Sequence, residues 1–252
     1  PTSDLTLYAK WIKNDINDYD LTPFSNKFAT SFHVKTAAQL RGFAALVNGI
    51  YDADGNLTTA PNDFEGKTVV LDNDVFLNDT TDWAFWGHNA YAVTWIPIKG
   101  FKGLFDGQGH VIYGMFISAE AIPMPYCEET ENYGLFGSIG ASGCTVTGVG
   151  IKASAIDLQQ HDDIYGNVEI GNKAGFLLGF LEGENNAVEK SFAEGRMICP
   201  DNKNWNGYVA GLVGQERGKD NHISNCYSHV TIEHAGNNSH AGSMANILYG
   251  VL

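Results

Sequence analysis

The feature of this sequence that most constrains its fold is a motif that returns along the chain. Each copy opens on a glycine followed by large apolar residues, as in "YGLFGSIG" and "AGLVGQERG", and the opening glycines are Gly103, Gly134, Gly175, Gly211 and Gly242. A second apolar run with alternating side chains follows in the middle copies. Two short strands joined by a glycine-rich turn cannot bury an apolar face alone, whereas stacked copies can. The repeat therefore predicts a solenoid of strands.

The copies are unequal in length, and the extra residues fall after the second strand of each copy, at 118–133, 155–174, 197–209 and 233–240. Because neighbouring strands lie about 4.8 Å apart, loops inserted at the same point of successive coils should lie side by side along one edge. Alignment on the opening glycines predicts that Leu135, Phe176 and Leu212 are equivalent core positions. The same alignment matches Asp106 with Gly137, Leu178 and Gly214.

One segment predicts a helix instead of a strand. In "KTAAQLRGFAALVNGI", Thr36 and Gln39 fit a capping box, and Gly49 fits a C-terminal stop. Between them Leu40, Phe43, Ala44 and Val47 follow helical spacing. We expect this helix, near residues 37–48, to cover the exposed strand edges of the first coil. The alternative is an amphipathic helix that binds a partner.

The strings "FKGLFDGQGHVIYGMFI", "NYGLFGSIG" and "GYVAGLVG" resemble the GLUG-motif family of bacterial surface and extracellular proteins, and the resemblance spans roughly residues 32–252. It implies an all-β fold, a right-handed parallel β-helix, located at the cell surface or outside the cell. The opening "LTLYAKW" is similar to the last strand of an internalin-type B-repeat. We therefore interpret residues 1–12 as the end of a preceding module or linker and residues 13–252 as the β-helix domain. Flanking modules of a longer chain would then be its neighbours.

The charge balance narrows the possible partners. Lys and Arg number 15 against 29 Asp and Glu, which gives a net charge of -14 and a field that repels phosphate backbones and anionic lipids. Nucleic acid is therefore not an expected partner. No stretch approaches the roughly 20 apolar residues of a membrane-spanning helix, so we expect no membrane insertion by this segment. The cysteines Cys127, Cys144, Cys199 and Cys226 lack C-x-x-C spacing, and we interpret them as free thiols.

Two acidic segments resemble a catalytic turn and a calcium loop, and each also fits an ordinary turn. "DGQGH" at 106–110 is similar to a turn of β-helical pectin hydrolases, but Asp-Gly and Gln-Gly are also turn formers. "DADGNLTTAPND" places Asp52, Asp54, Asn56 and Asp63 at calcium-loop spacing, without the glycine and the glutamate that such a loop requires. Calcium is thus the one possible cofactor, and a plain turn is the alternative. We assign no catalytic residue.

Aromatic residues outside the repeat pattern are the strongest candidates for ligand contacts. Trp95 in "WIPI" fits the core, but "TTDWAFWGHNAYAV" adds Trp83, Trp86 and Tyr91, and "DNKNWNGY" adds Trp205. Aromatic rings stack on the apolar faces of sugars, so these four residues are our candidate glycan contacts. The alternative is an aromatic lid over the first coils.

These features predict a non-catalytic module of a bacterial cell-surface or secreted protein. It would act as an adhesion or glycan-binding scaffold, or as a rigid spacer, with a polysaccharide or a host or cell-surface glycan as partner. The alternative is a β-helical polysaccharide lyase or glycosidase that works at the insertion-loop edge. Such an enzyme needs two carboxylates about 5 to 10 Å apart, whereas the aligned coil positions do not stack acids, and acids such as Glu128, Asp162 and Asp201 fall in the insertions.

Overall fold

The computed structural model describes residues 18–88, 92–126, 132–140, 142–159, 172–200, 205, 207–233 and 240–247. Within these ranges the helical elements are α1 (Ala37–Asn48) and two 3-10 turns at Thr22–Phe24 and Trp83–Phe85. The remaining elements are short strands. In chain order they are β1 (Ser31–Val34), β2 (Ile50–Tyr51), β3 (Leu57–Thr59), β4 (Thr68–Leu71), β5 (Val75–Phe76), β6 (Ile98–Lys99), β7 (Leu104–Asp106), β8 (Val111–Tyr113), β9 (Phe116–Ser118), β10 (Asn132–Tyr133), β11 (Phe136–Ile139), β12 (Thr145–Thr147), β13 (Gly150–Asp157), β14 (Lys173–Ala174), β15 (Leu178–Glu184), β16 (Ala187–Glu189), β17 (Phe192–Ile198), β18 (Tyr208–Ala210), β19 (Val213–Lys219), β20 (His222–Ser224), β21 (Tyr227–Glu233), β22 (His240–Gly242) and β23 (Ala245–Ile247).

The strands form four parallel sheets that confirm the parallel β-helix. Sheet I has the order β1-β4-β7-β12-β16-β20, and sheet II has the order β5-β8-β13-β17-β21 with β9 also paired to β13. Sheet III has the order β10-β14-β18-β22, and sheet IV has the order β6-β11-β15-β19-β23. From β10 onward the chain visits sheets III, IV, I and II in turn and then returns to sheet III. Each such circuit is one coil, and it stacks directly on the coil before it.

The predicted position of the insertions is confirmed. The long connections leave the ends of the sheet II strands β9, β13, β17 and β21, and they lead to the next strand of sheet III. Because the coils are stacked in register, these connections start from one edge of the solenoid. A different insertion, the hairpin β2–β3, follows α1 and is the one antiparallel pairing among the described strands.

The alignment of the first repeat copy is corrected by the structure. Leu104 pairs with Thr145 and Asp106 pairs with Val70 and Thr147, so "GLFD" lies in sheet I, whereas "GLFG" at 134–137 enters sheet IV. In the next coil Thr147 pairs with Glu189, so Asp106, Thr147 and Glu189 occupy equivalent positions. The two strings occupy different positions of the coil, because a glycine followed by large apolar residues can begin any strand that follows a turn. The interpretation of "DGQGH" as a turn holds, since Asp106 Oδ1 accepts the Gln108 N–H at 3.0 Å.

The core consists of rows of equivalent side chains that point into the coil. In sheet I the inward row runs through all six strands and is buried throughout: Phe32, Val69, Phe105, Val146, Val188 and Ile223. The predicted core positions Leu135, Phe176 and Leu212 are each 0% exposed. Their predicted equivalence is wrong by one residue in one coil, because the register places Leu177, and not Phe176, opposite Leu212. Strand pairing therefore places one coil's apolar side chain directly on that of the next, which is how a unit too small for its own core acquires one.

The predicted helix is confirmed together with its covering role. The Thr36 hydroxyl accepts the Gln39 N–H at 3.2 Å, and Gly49 ends the helix at φ 88°. The apolar face of α1 packs on the first coils, where the Phe43 ring lies edge-on to Phe64 at 5.2 Å and to Phe101 at 5.3 Å. The helix thus shields apolar side chains at this end of the solenoid.

A buried asparagine pair fixes the corner between sheets IV and I. Asn186 Oδ1 accepts the Cys144 N–H at 2.8 Å, and the Asn186 N–H donates to Asn221 Oδ1 at 2.9 Å. Both asparagines are at most 1% exposed. Each amide thus satisfies a backbone group of the neighbouring coil that would otherwise be buried without a partner. The sequence pattern did not reveal this corner.

Three of the cysteines, Cys144, Cys199 and Cys226, are free thiols in the structure, while Cys127 lies outside the described residues. Burial raises the pKa of the Cys144 thiol and of the Cys199 thiol to about 12. These two thiols therefore stay protonated at neutral pH and act as small apolar groups of the core.

We predict that Leu135→Asp or Leu212→Asp lowers the free energy of unfolding by roughly 3 to 5 kcal/mol, because each change buries a carboxylate without a partner. Urea denaturation followed by far-ultraviolet circular dichroism measures the change. Thr145→Asp is the matched control, because Thr145 lies on the outward side of sheet I next to the inward Val146. It should cost less than about 1 kcal/mol. Equal losses in the core variants and the control would contradict the inward assignment.

Candidate functional site

The outer face of sheet II carries the most distinctive surface of the described chain. Side chains alternate along β17 and β21, so that alternate residues from Phe192 and from Tyr227 point away from the core. Strand register then aligns these residues between coils, with Phe192 opposite Tyr227 and Glu194 opposite His229. The face therefore combines aromatic and polar groups in rows parallel to the solenoid axis.

Aromatic rings stack between coils on this face. The Phe192 and Tyr227 centroids are 4.8 Å apart with parallel planes, and Phe76 and Tyr113 lie 4.6 Å apart at 8°. Tyr227 is 50% exposed although one side of its ring packs on Phe192. Half of the Tyr227 surface therefore remains open to solvent.

A glycine explains how the Phe192 ring is accommodated. Gly150 is the partner of Phe192 in the preceding coil, and a Cβ on Gly150 would lie 2.3 Å from Phe192 Cζ. The ring therefore leans over the Gly150 backbone into space that any side chain would fill. Gly195 in β17 is a second such position, because a Cβ there would lie 2.7 Å from Phe176 Cζ.

Charged groups surround the stacked rings. Lys152 Nζ lies 5.2 Å from the Phe192 centroid and 3.3 Å from Glu194 Oε1, and the Tyr227 hydroxyl donates to the same carboxylate at 3.2 Å. The hydrogen bond to Glu194 raises the pKa of Lys152, so the amine stays charged. We name Tyr113, Lys152, Phe192, Glu194 and Tyr227 the aromatic patch. It offers ring surface for stacking together with donors and an acceptor for hydroxyl groups.

A loop segment covers the other end of sheet II. Trp86 is 2% exposed, and its ring lies 5.6 Å from the Phe116 ring in a small cluster with Ala155. Trp83 packs beside this cluster and is partly exposed, while Phe85 is 57% exposed. We name residues 83–88 the strap, because it passes over strands from successive coils.

The strap lies over the last outward row of sheet II, in which Ser118 of β9 precedes Asp157, Ile198 and Glu233. Arg196 Nη1 lies 3.2 Å from Glu233 Oε1, and Arg196 Nη2 donates to the Trp86 carbonyl. His88 Nε2 lies 3.3 Å from Glu233 Oε2. We name Asp157, Ile198 and Glu233 the strand-end row.

Asp157 differs from the other acids of this face because it is only 6% exposed. Its Oδ1 accepts the Gln159 N–H at 3.0 Å. Loss of solvent on burial raises the pKa of the Asp157 carboxyl, an effect that outweighs the lowering influence of that hydrogen bond and of nearby His88 and Arg196.

The structure separates the four aromatic residues predicted as glycan contacts. Trp86 and Trp205 are buried, at 2% and 6% exposed, and Trp205 belongs to the main core. The alternative interpretation as an aromatic lid therefore fits Trp86. Trp83 packs beside Trp86 and is partly exposed. Tyr91 lies outside the described residues. Trp95 is a core residue as expected, and its Nε1 donates to the Leu135 carbonyl at 3.1 Å.

Sequence reasoning missed the aromatic patch. Its rings lie inside the repeat copies, at regular strand positions, and not in the segments that depart from the pattern. The available signal was the equivalent position of Phe192 and Tyr227 in two successive copies, "SFAEG" and "CYSHV". A large aromatic ring at an outward position of both copies indicates an exposed aromatic row.

The candidate calcium ligands do not converge. Asp52 Oδ1 accepts backbone N–H groups of Asp54 and Asn56 at 3.0 and 2.8 Å, within the turn that joins β2 to β3. Asp63 lies 2.9 Å from Lys102 Nζ. Among the described residues, no group of three or more His, Cys, Asp or Glu side chains could hold a metal ion.

Comparison with known proteins adds no relative: no family model, no curated protein and no solved structure matches the chain. In the part of the chain that the structure describes, no helix has the length and apolar character needed to cross a membrane. The geometry of the surface is therefore the basis for any functional conclusion.

We predict that calcium titration shows no micromolar binding at residues 52–63, because the Asp52 carboxylate is occupied by its own turn and Asp63 by Lys102. Isothermal calorimetry measures this with the native chain and with Asp52→Ala as the matched variant. A micromolar dissociation constant that disappears in Asp52→Ala would contradict the prediction.

Proposed function

We propose that this chain is a non-catalytic, glycan-binding module of a bacterial cell-surface or secreted protein. The β-helix supplies a rigid scaffold, and the aromatic patch on sheet II is the contact surface. The observation that carries the proposal is the half-exposed Tyr227 ring, held by stacking on Phe192 and hydrogen-bonded through its hydroxyl to Glu194.

The chemistry of the patch suits a sugar chain. A pyranose ring has an apolar face that can pack on the open side of the Tyr227 ring, and aromatic side chains provide such a surface at many interfaces. The hydroxyls of the sugar can form hydrogen bonds with Glu194 and Lys152. The site is open and built on strands, so it can follow an extended chain across several coils. The net charge of -14 favours a neutral or basic polysaccharide over an acidic one.

The location outside the cell rests on the resemblance to the GLUG-motif family and on no other observation. In such a setting, a rigid β-helix would hold the patch at a fixed position between flanking modules. Adhesion to a polysaccharide or to a host or cell-surface glycan is then the role that this arrangement serves.

We predict that Tyr227→Ala weakens polysaccharide binding about tenfold, equivalent to about 1.4 kcal/mol, because the stacking surface is lost. Affinity electrophoresis against a panel of neutral and basic polysaccharides identifies a ligand, and calorimetry then compares the variants. Tyr227→Phe keeps the ring and loses the hydroxyl contact with Glu194, so it should lose less than Tyr227→Ala.

Phe28→Ala is the matched control, because Phe28 is 94% exposed and lies before β1, outside sheet II. It removes an exposed aromatic ring and should leave binding unchanged. The proposal fails if no polysaccharide of the panel binds, or if Phe28→Ala weakens binding as much as Tyr227→Ala.

A second candidate function is polysaccharide cleavage at the insertion-loop edge. Asp157 and Glu233 occupy the same outward row two coils apart, a separation of about 10 Å between their backbones. Carboxylates of inverting glycosidases stand about 6.5 to 9.5 Å apart, so two acids on this row approach the spacing of such a pair. The strap, however, lies over Asp157, so this candidate requires the strap to move.

Cleavage is tested by incubating the native chain with the same polysaccharides and assaying new reducing ends and unsaturated ends. The non-catalytic proposal predicts that neither product accumulates. Products that form with the native chain and disappear in Asp157→Asn would replace glycan binding with cleavage as the function. Asp220→Asn is the control for a general effect of charge, since Asp220 is exposed and lies between β19 and β20, outside sheet II.

A further inference from the structure

The strap is attached to several coils by contacts of different kinds. The Trp86 ring packs on Phe116 in β9 and Ala155 in β13. Arg196 in β17 donates to the Trp86 carbonyl, and His88 lies 3.3 Å from Glu233 in β21. The strap therefore has one apolar anchor and two polar contacts, and the polar contacts involve ionisable groups.

Gly87 brings the strap backbone directly against the strand-end row. A Cβ on Gly87 would lie 2.9 Å from Asp157 Oδ2 and 2.7 Å from Ile198 Cδ1, and Gly87 itself has φ 81°. With the strap in place, the Asp157 carboxyl is enclosed. Without it, the same carboxyl would lie on the outward side of sheet II, where water can solvate its charge.

We propose that the strap is a releasable cover of the strand-end row, docked when the Asp157 carboxyl is protonated and loosened when it ionises. Release would expose the Trp86 ring and the Asp157 and Glu233 carboxylates beside the aromatic patch. The proposal goes beyond glycan binding and does not depend on it.

The direction of the pH dependence follows from burial. Because the docked state raises the pKa of Asp157 above its ordinary value of 3.8, the docked state binds the proton more tightly than the released state. Docking is therefore strongest at low pH. It weakens as the pH rises from about 3.8, the ordinary pKa of the Asp157 carboxyl, through the raised pKa of the docked state. At a pH above the raised pKa, the strap should be loosened.

The other charged groups around Asp157 act in both directions. His88 Nε2 lies 3.3 Å from Glu233 Oε2, and Arg196 Nη1 lies 3.2 Å from Glu233 Oε1. His88 and Arg196 favour the ionised form of Asp157 and so oppose release, whereas Glu120 disfavours that form.

Amide hydrogen exchange of the folded chain measures strap docking without any ligand. Peptides that cover residues 83–88 are compared between pH 4.5 and pH 7.5 after correction for the intrinsic exchange rate. We expect protection of these amides to fall over this range, because the docked state, which raises the pKa of Asp157, loses stability as that carboxyl ionises. Peptides from β12 and β16 in sheet I should show no such change.

Asp157→Asn separates titration of this carboxyl from other effects, because asparagine has the same shape and stays neutral. At pH 7.5 this variant should protect the strap more than the native chain does, and the change in protection between pH 4.5 and pH 7.5 should be smaller in the variant. Asp220→Asn is the matched control, because Asp220 is exposed in a turn with positive φ that asparagine tolerates, and it should behave like the native chain.

Two results would overturn the proposal. One is strap protection that does not change with pH in the native chain, and the other is an Asp157→Asn variant that keeps the full native pH dependence. Circular dichroism of each variant at both pH values verifies that the solenoid is folded.

Discussion

The structure depends on the parallel pairing of each coil with the next. Backbone hydrogen bonds between successive coils fix the register, so a residue at a given position of one coil lies about 4.8 Å from its equivalent in the next. In sheet I this register builds the continuous inward row from Phe32 to Ile223. An inward position that the chain fills with a large apolar residue in consecutive coils becomes core, and a buried polar residue must find a partner in the neighbouring coil, as Asn186 and Asn221 do.

The same register organises the surface. On the outward side of sheet II it stacks Tyr227 on Phe192 and places Lys152 and Glu194 around them. A binding surface built this way needs no separate loop to position it, because the strands hold each side chain. Rigid strands also make the aromatic patch extended, which suits a polymer better than a small molecule.

The two ends of sheet II differ in their exposure to solvent. The aromatic patch is open, whereas the strand-end row lies beneath the strap, with Asp157 6% exposed. Burial stabilises the neutral form of Asp157, while Glu233 lies between Arg196 and His88. These two acids of one row thus differ in burial, because Gly87 of the strap lies against the Asp157 carboxylate while Glu233 stays partly exposed.

The sequence by itself determined the solenoid, the capping helix and the edge where the insertions begin. These features depend on local signals: the glycine that opens each copy, the alternation of apolar residues, the spacing of Leu40, Phe43 and Val47, and the capping residues Thr36 and Gln39. Each signal acts within a few residues, so it can be read without knowing what packs against it. The free thiols of Cys144 and Cys199 also agree with the interpretation from sequence.

Only the tertiary structure decided which copy aligns with which, and which aromatic rings are exposed. "GLFD" and "GLFG" look alike in sequence, yet pairing of Leu104 with Thr145 puts them in different sheets. Trp86 departs from the repeat pattern but is buried, whereas Tyr227 fits the pattern and is half exposed. The physical reason is that exposure depends on what packs against a residue in the folded chain, and the strap that contains Trp86 contacts residues up to 145 positions away in the sequence.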